Sequence, residues 1–373
     1  MNSVNKLALM GAFRAFGGSI IWPFVGYALY TVFHFPLYFV SLFYLAQALI
    51  GVLSYIVGGY MADFLGRVRT MFIATISSSL FLFLSFLFYY PLVVVSFILL
   101  QTFMNNIYNV ANTTTVADIN RGFKSLVASF SRVRVGINAG WAFGPLIGSI
   151  IFEKYSFREL LLISSIITLI PILFLRSIPD FKGKRVSLKI EKDFAIFLLP
   201  TFLTFMLMGQ LGFSLLTYYT KVIKLSVVDV GILFMVNGIL IVFLQDLIGR
   251  HLKMKHILLG MLIYSISYFA VAFITNFFFA VIDMVFVTVA EMIVSPISQA
   301  IASSLTKEEY RGRELGIYGM VTALGRVIGS SYSSFLMSYF LYSPLYLWSL
   351  ISIPGVLSIP LYLLSFKGIR SNG

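Results

Sequence analysis

Four charged side chains lie well inside long apolar stretches of this sequence, at Arg14, Asp283, Glu291 and Arg326. An ionisable group inside a membrane costs at least about 2.5 kcal/mol on insertion scales, so it usually faces a solute pathway or another charge. Glu291 and Arg326 fall at similar depths, so they are able to pair near the middle of a bilayer. Such a pair either carries protons by opening and closing or joins two helices permanently. Arg14 lies nearer to the cytoplasmic end of its span. Its side chain therefore either faces a pathway or extends to the cytoplasmic interface, and the two arrangements are equally favoured.

A row of amide side chains forms a second pattern, at Gln101, Asn105, Asn109 and Asn112. Spacings of four, four and three residues place them on one face of a helix. Amides in lipid must find hydrogen-bonding partners, so this face lines a wet cavity or a helix contact. Four stacked amides favour the cavity. A comparable polar face follows later in the chain, at Asp283, Glu291, Ser295 and Ser298.

The elements that must position these groups are membrane-spanning helices. The chain is 59% hydrophobic and 11% charged, with a mean hydropathy of +0.95, whereas a soluble domain has about 25% charged residues. Apolar runs long enough to cross about 30 Å of hydrocarbon predict twelve spans. They fall near 7–31, 36–61, 69–89, 91–116, 126–152 and 157–176, and then near 193–220, 227–246, 255–275, 277–303, 315–341 and 343–366. Ten or eleven spans remain an alternative if one pair of segments is re-entrant.

A polar stretch divides these spans into two groups of six. We expect an all-α integral membrane protein with two pseudo-symmetric six-helix bundles, at 1–176 and 193–373, and a cytoplasmic linker at 177–192. The groups share an Asp-x-x-Gly-Arg pattern, which begins at Asp63 in the first and at Asp246 in the second. Repeated halves are typical of transporters in which one half moves against the other around a site at the midplane.

The net charge of +13 raises the question of nucleic-acid binding, which the distribution of the charge answers. Most basic residues fall at the two termini and in every second connection, whereas the opposite side holds only Lys154, Arg158, Lys221 and Lys224. An excess of Lys and Arg marks the cytoplasmic side. We therefore expect a multi-pass plasma-membrane protein in contact with lipid, with both termini cytoplasmic and no nucleic-acid partner.

The connection between spans 2 and 3 carries the sharpest motif, with Gly59, Asp63, Gly66, Arg67 and Arg69. Glycine permits a tight turn between helices. The aspartate is suited to accept hydrogen bonds from a helix N-terminus. A turn anchored by positive charges is the alternative, but the degenerate copy between spans 8 and 9 argues against chance.

At these residues the sequence resembles the major facilitator superfamily. Its loop signature, Gly-x-x-x-Asp-x-x-Gly-Arg-[Arg/Lys], matches Gly59, Asp63, Gly66 and Arg67, while Val68 departs and a basic residue follows one position late. The resemblance implies the superfamily's twelve-helix fold over essentially the whole chain. It also implies that the loop is a conformational latch, with Asp63 docking against span 11 in the outward-facing state. The latch residues of the second copy would be Asp246, Gly249 and Arg250.

Span 5 contains Gly140, Gly144, Pro145 and Gly148. Small residues four apart permit close helix packing, and proline is expected to kink the helix. The segment is similar to a glycine–proline motif of antiporters in the same superfamily, which favours export modestly, and generic membrane packing is the alternative. In the second half, Gly325 and Gly329 echo the first two glycines.

Members of the superfamily line their central cavity with spans 1, 4, 7 and 10. This resemblance, together with the depth of polar residues within their spans, predicts a substrate or ion site. Its candidate residues are Arg14, Gln101, Asn105, Asn109, Gln210, Asp283, Glu291 and Arg326. Multidrug efflux by drug–proton exchange is the closest type, yet span 4 lacks that type's basic residue and has Gln101 near its position. Proton coupling is therefore in question on this motif.

The leading hypothesis is a monomeric secondary transporter that exports a small molecule in exchange for protons. Uptake of a sugar, organic acid or peptide is an alternative, as is a receptor or assembly subunit that no longer transports. The sequence lacks the ATP-binding Gly-x-x-x-x-Gly-Lys-[Ser/Thr] loop and the His-Glu-x-x-His zinc helix, which argues against an ATP-driven pump and an intramembrane enzyme. With no cysteine, it has no thiolate metal site. We expect neither a cofactor nor a bound metal.

Overall fold

The computed structural model describes residues 3–119, 123–180, 192–249, 251–305 and 311–371. These residues form helices and connections and contain no strand. The helices are α1 Ser3–Ile21, α2 Phe24–Thr31, α3 Leu37–Leu65, α4 Arg67–Leu87, α5 Pro91–Ile119, α6 Phe123–Lys154, α7 Phe157–Leu169, α8 Ile172–Leu175, α9 Lys192–Met208, α10 Phe213–Tyr218, α11 Val227–Gly249, α12 His256–Ala270, α13 Phe277–Ser304, α14 Arg311–Phe340 and α15 Pro344–Ser371. A π-turn, Tyr219–Ile223, continues α10, and a 3₁₀ turn, Val271–Phe273, continues α12.

Among the described residues, 11 helical segments are long and apolar enough to cross a membrane. Three of them consist of consecutive helices: Ser3–Thr31 joins α1 to α2, Phe157–Leu175 joins α7 to α8, and Lys192–Ile223 joins α9, α10 and the π-turn. A multi-pass, all-helical membrane protein is therefore confirmed. The segment predicted as span 11 is the exception, so the count of twelve stays a prediction.

That segment is α14, which has 30 residues and ample length but many glycines and serines. Its serines are hydrogen-bonded inside the protein: Ser330 Oγ donates to Gly209 O over 3.3 Å, and Ser333 Oγ lies 2.6 Å from Ser214 Oγ. A helix covered by protein does not need the apolar surface of one that faces lipid. The low apolarity of α14 is therefore compatible with burial in its bundle.

The chain forms two compact units. The N-terminal unit comprises Met1–His34 and Ala46–Ser187, and the C-terminal unit comprises Phe35–Leu45 and Leu188–Gly373. The start of α3 belongs to the second unit, in which Ser41 Oγ donates to Ser331 O over 2.8 Å. The predicted bundle limits and the linker stay predictions, and residues 181–191 of that linker lie outside the described part of the chain.

Glycines bring the first and fifth long helices of the N-terminal unit together. A methyl group built at Gly140 of α6 would lie 2.5 Å from Ala12 O and 2.7 Å from Phe16 N of α1. Side chains at Gly136, Gly144 and Gly148 would also collide with α1. These four positions, each four residues from the next, lie along one face of α6. Close approach of two backbones therefore fixes α1, which carries Arg14.

The same construction recurs in the C-terminal unit. A methyl group at Gly325 of α14 would lie 2.7 Å from Phe202 O of α9, and one at Gly329 would collide with Met206 O. The predicted echo between the two halves thus corresponds to a repeated packing contact. It holds α14, which carries Arg326, against α9.

Candidate functional sites in the two units

Arg14 lies at the centre of the N-terminal unit, where it is 8% exposed. Its guanidinium donates to Asn105 Oδ1 over 2.5 Å and to Thr75 Oγ1 over 3.3 Å, and its Cζ lies 3.8 Å from the centroid of the Tyr108 ring. The amide, the hydroxyl and the ring face fix the cation without a carboxylate. Arg14 therefore does not extend to the interface but stays inside the bundle.

The remaining amides of α5 have different surroundings. Gln101 Nε2 donates to Ser78 Oγ over 3.3 Å, so this side chain joins α5 to α4. Asn109 is exposed, whereas Asn112 is 7% exposed and its Oδ1 has no hydrogen-bonding partner. The predicted polar face therefore combines a helix contact with open positions, and only Asn105 reaches a charged residue.

Asp283 of α13 is the most buried carboxylate among the predicted site residues, with 7% exposure. Tyr219 of the π-turn lies beside it, yet neither Asp283 Oδ2 nor the Tyr219 hydroxyl meets the geometry of a hydrogen bond. A buried carboxylate oxygen without a partner is energetically unfavourable. It is also free to accept a proton.

Glu291 and Arg326 do not pair in this structure. Asn237 Nδ2 of α11 donates to Glu291 Oε2 over 3.1 Å and to Thr288 Oγ1 over 3.0 Å, so the carboxylate is held by an amide. Arg326 is exposed, and its Cζ lies 5.2 Å from the centroid of the Phe205 ring. Within the described residues the only ion pairs are those of Arg67. All four predicted intramembrane charges therefore lack an oppositely charged partner among the described residues.

Gln210 lies in the break between α9 and α10 and is 1% exposed. Its Nε2 donates to Met206 O over 2.8 Å and to Gly329 O over 3.0 Å, and its Oε1 accepts from Ser214 Oγ over 2.7 Å. The amide thus satisfies backbone carbonyls at the helix break. This geometry makes Gln210 a packing residue and leaves it no group for a solute.

Aromatic residues that the sequence did not single out surround the two carboxylates. Tyr264 and Tyr268 of α12 stack with ring centroids 5.5 Å apart, and Tyr268 stacks on Trp348 at 6.2 Å. All three residues are 0% exposed. The spacing of the two tyrosines, four residues along one helix, was the available signal. It was hidden among 21 tyrosines and 38 phenylalanines.

The loop motif forms an ion-pair network of its own. Arg67, which is 6% exposed, bonds to Asp63 at the end of α3, and its Nε donates to Asp118 Oδ2 over 3.0 Å at the end of α5. Gly66 has a φ of 102°, which an L-residue rarely adopts. The structure therefore brings Asp63, Gly66 and Arg67 together, and it adds Asp118, which was not predicted.

Asp180 was also missed by sequence reasoning. Its Oδ1 accepts from Val68 N over 2.9 Å in the first turn of α4, and its carboxylate would lie 2.7 Å from a methyl group at Gly66. A residue so distant along the chain gave no local signal of this contact.

Two motif positions have no such contacts. Gly59 has open space around its α-carbon, and Arg69 is exposed without a described partner. The second copy is incompletely described: Gly249 ends α11, whereas Arg250 and the side chain of Asp246 lie outside the described residues. The described part of the chain contains no cluster of His, Cys, Asp or Glu that could hold a metal ion.

Comparison with known proteins decides the family. The model of the Major Facilitator Superfamily matches residues 7–330 and 253–368. The chain belongs to the major facilitator superfamily. No curated protein sequence matches it.

Solved transporter structures share the fold. The nucleoside transporter NupG is 15% identical with a TM-score of 0.75, and the alignment covers 98% of this chain and all (100%) of that one. A POT family transporter in complex with 5-aminolevulinic acid is 12% identical with a TM-score of 0.77 and coverage of 98% and 95%. A bacterial homologue of the human lysosomal transporter Spinster is 11% identical with a TM-score of 0.76 and coverage of 98% and 96%. At these identities the likeness concerns the fold alone.

Proposed function

We propose that this protein is a secondary transporter that moves a small solute by alternating access and draws its energy from a proton gradient. The observation that carries the proposal is that Arg14, Asp283 and Glu291 lie inside helical spans without ion-pair partners. Such charges are costly in a membrane and are retained where they bind a solute or an ion.

The carboxylates are the groups suited to proton coupling. Asp283 is 7% exposed with an unsatisfied oxygen, and Glu291 is held by the neutral Asn237 rather than by a cation. No ion pair among the described residues holds either carboxylate in its charged form. Arg14 instead keeps its charge, which suits the recognition of an anionic group on the solute.

The direction of transport is not decided by the span 5 motif. Its glycines lie against α1, a contact that serves packing and is equally useful to an importer and an exporter. The solved neighbours are described as transporters of peptides and nucleosides, and one is bound to 5-aminolevulinic acid. Small polar solutes of these classes are therefore the first compounds to test.

We further propose a monomer in the plasma membrane with both termini cytoplasmic. The asymmetry of Lys and Arg supports this orientation. Single cysteines at positions 34, 223 and 372 of the cysteine-free chain test it in intact cells with an impermeant thiol reagent. Labelling at 34 and 223 but not at 372 is expected, and the reverse pattern would invert the topology.

The function is tested with purified protein in liposomes under an imposed pH difference of either sign. Labelled dipeptides, nucleosides and 5-aminolevulinic acid are screened for accumulation that a protonophore abolishes. We expect Glu291→Gln to retain exchange of the accumulated solute but to lose accumulation driven by the pH difference. Asp229→Asn is the matched control, since this carboxylate lies in the first turn of α11, in an exposed contact in which it accepts from Ser226 N.

Two outcomes would contradict the proposal. One is a solute that the parent protein carries only to equilibrium at any pH difference, which would remove proton coupling. The other is full accumulation by both Asp283→Asn and Glu291→Gln, which would show that neither carboxylate couples.

A further inference from the structure

Three tyrosine hydroxyls in the C-terminal unit have no hydrogen-bonding partner of normal geometry among the described residues. They belong to Tyr219, Tyr264 and Tyr268, each 0% exposed, and Asp283 Oδ2 is unsatisfied in the same region. Buried polar atoms are almost always paired, so a cluster of exceptions requires an explanation. Polar groups grouped in this way are the surroundings in which ordered water is held.

Two of these tyrosines lie on α12, the helix that packs against α13 and its two carboxylates. Helices α12 and α13 are joined by a short connection and run antiparallel, so that Tyr268 lies level with Asp283 and Tyr264 lies one turn nearer to Glu291. The charges of both carboxylates act on Tyr268, whereas Tyr264 senses Glu291. Tyr219 lies beside Asp283. Along the two helices, Tyr264 and Tyr268 therefore fall between the levels of Glu291 and Asp283.

Direct transfer between the carboxylates is excluded by their separation. Eight residues of helix span about 12 Å, several times the length of a hydrogen bond. The ring centroids of Tyr264 and Tyr268 lie 5.5 Å apart, and both residues belong to the turns of α12 that face this interval of α13. One water molecule between successive oxygen atoms would complete a continuous chain.

The elements packed around this chain supply few competing charges. Helix α11 contributes the neutral Asn237, which donates to Glu291 Oε2, and α15 contributes the indole of Trp348. Helix α14 contributes Arg326, whose charge reaches Tyr264. The π-turn and α10 contribute Tyr219 and Tyr218, respectively. Asp283 and Glu291 are therefore the groups at the two ends that exchange protons.

We propose that Tyr264, Tyr268 and Tyr219, with ordered water, form a proton relay from Glu291 to Asp283 inside the C-terminal unit. Glu291 is the entry because it is more exposed than Asp283. The acid proton of Glu291 passes to the next oxygen, and each hydroxyl or water then accepts one proton and releases its own. One O–H bond forms for each that breaks, so Glu291 ends as a carboxylate, Asp283 as an acid, and no electrons are transferred.

The relay rests on the proposed function for its purpose, but its test needs no transport. Infrared difference spectroscopy of the purified protein in lipid, after a rapid drop in pH, follows the carbonyl stretch of each newly protonated acid. The variants Asp283→Asn and Glu291→Gln assign the two bands. In the double variant Y264F/Y268F we expect the rate of protonation of Asp283 to fall by at least about tenfold, because a positioned proton-transfer group accelerates a transfer by that much or more. The rate of protonation of Glu291 should stay unchanged.

Tyr362→Phe is the matched control. Tyr362 is equally buried in the same unit, but its hydroxyl bonds to Thr204 Oγ1 over 2.9 Å, away from the relay. Because the relay hydroxyls have no protein partner, replacing them with phenylalanine should leave the melting temperature unchanged. An unchanged rate at Asp283 in Y264F/Y268F would overturn the relay, as would equal slowing in Tyr362→Phe. Neither result would bear on transport measured in liposomes.

Discussion

The polar centres of the two units differ in the kind of charge they hold. In the N-terminal unit, Arg14 is held by Asn105, Thr75 and the Tyr108 ring. In the C-terminal unit, Asp283 and the tyrosines around it have unsatisfied oxygens. A guanidinium does not deprotonate in proteins, whereas a carboxylate without a cation is able to titrate. Under the proposed function, the first centre keeps its charge and the second exchanges a proton.

The scaffolds that carry these centres are much more alike. In each unit the fifth long helix lies against the first through glycines, at Gly140 on α6 and at Gly329 on α14. The two units thus share their backbone contacts and differ in their polar side chains. We therefore expect changes in the glycine contacts to have similar effects in both units and changes in the charges to have different effects.

The largest effect is expected from filling these glycine contacts. Gly140→Val would press its side chain against Ala12 O and Phe16 N of α1, two backbone atoms that cannot turn aside, and Gly329→Val would do the same at Met206 O of α9. Overpacking of this kind costs about 1–3 kcal/mol or more. Both variants should lose most of the folded protein recovered in detergent, measured by size-exclusion chromatography.

Gly59→Ala is the control for this pair. It is also a helical glycine, but its α-carbon has open space around it. The alanine should be neutral or slightly stabilising, since alanine is favoured over glycine in a helix by about 1 kcal/mol. Normal recovery of Gly140→Val or Gly329→Val would show that the helices separate at little cost and that the two scaffolds are not matched.

The next effect contrasts the two charges directly. Arg14→Gln should abolish both accumulation and exchange of the solute, because the fixed charge is lost, whereas Asp283→Asn should abolish accumulation and retain exchange. We expect each affected activity to fall by at least about tenfold, which corresponds to a coupling free energy of roughly 1.4 kcal/mol. Arg14→Lys should not restore transport, since an ammonium group lacks the planar fork that contacts Asn105 and Tyr108. Liposome assays of both activities measure the contrast, and identical losses in Arg14→Gln and Asp283→Asn would refute it.

Most of the fold was predictable because lipid imposes simple rules on sequence. Apolar length predicted the helices, and the repeated glycines predicted a close helix contact of α6, whose partner α1 only the structure identified. Helix α14 was predicted as span 11 but is less apolar than the eleven candidate spans, because its serines bond inside the protein, which depends on neighbours rather than on composition. The partner of Glu291 also depends on its neighbours. Its depth along the helix made Arg326 the candidate partner, but the side chains point so that Asn237 contacts Glu291 instead.

The site was predictable in its charges and not in their partners. Arg14, Asp283 and Glu291 stood out because charge in a span is rare. Tyr108, Tyr264 and Tyr268 did not stand out, since aromatic residues are common in membrane helices and hid the four-residue spacing of Tyr264 and Tyr268. Asn237 had a signal that could have found it, a lone amide within an apolar span. Asp180 had none, because its contact with Val68 N joins residues far apart in sequence.

A smaller effect is expected at the loop motif of the N-terminal unit. Arg67 joins the ends of α3 and α5 through Asp63 and Asp118. Asp63→Asn keeps the shape and removes one charge, so folding should be preserved while transport falls, because a bias of a few kcal/mol suffices to shift a two-state equilibrium. Transport rate and melting temperature are measured together. Full transport by Asp63→Asn would reduce the motif to a membrane anchor.

The smallest effects are expected at the N-terminal end of the third long helix of each unit, which is α4 in the first and α12 in the second. Asp180 accepts from Val68 N, a first-turn donor of α4 that has no partner within the helix, whereas in the C-terminal unit His256 Nδ1 accepts from Lys253 N, which precedes α12. Loss of a side-chain cap costs about 1 kcal/mol, and loss of an exposed contact outside the helix costs less than about 0.5 kcal/mol. Asp180→Ala should therefore lower the free energy of unfolding in mixed micelles, and His256→Ala should leave it nearly unchanged.

Asp180→Asn, which keeps an acceptor oxygen, should recover most of the loss. If Asp180→Asn were as destabilising as the alanine variant, the negative charge at the N-terminus of α4 would be the source of the stabilisation, and the difference between the units would be electrostatic rather than one of hydrogen bonding.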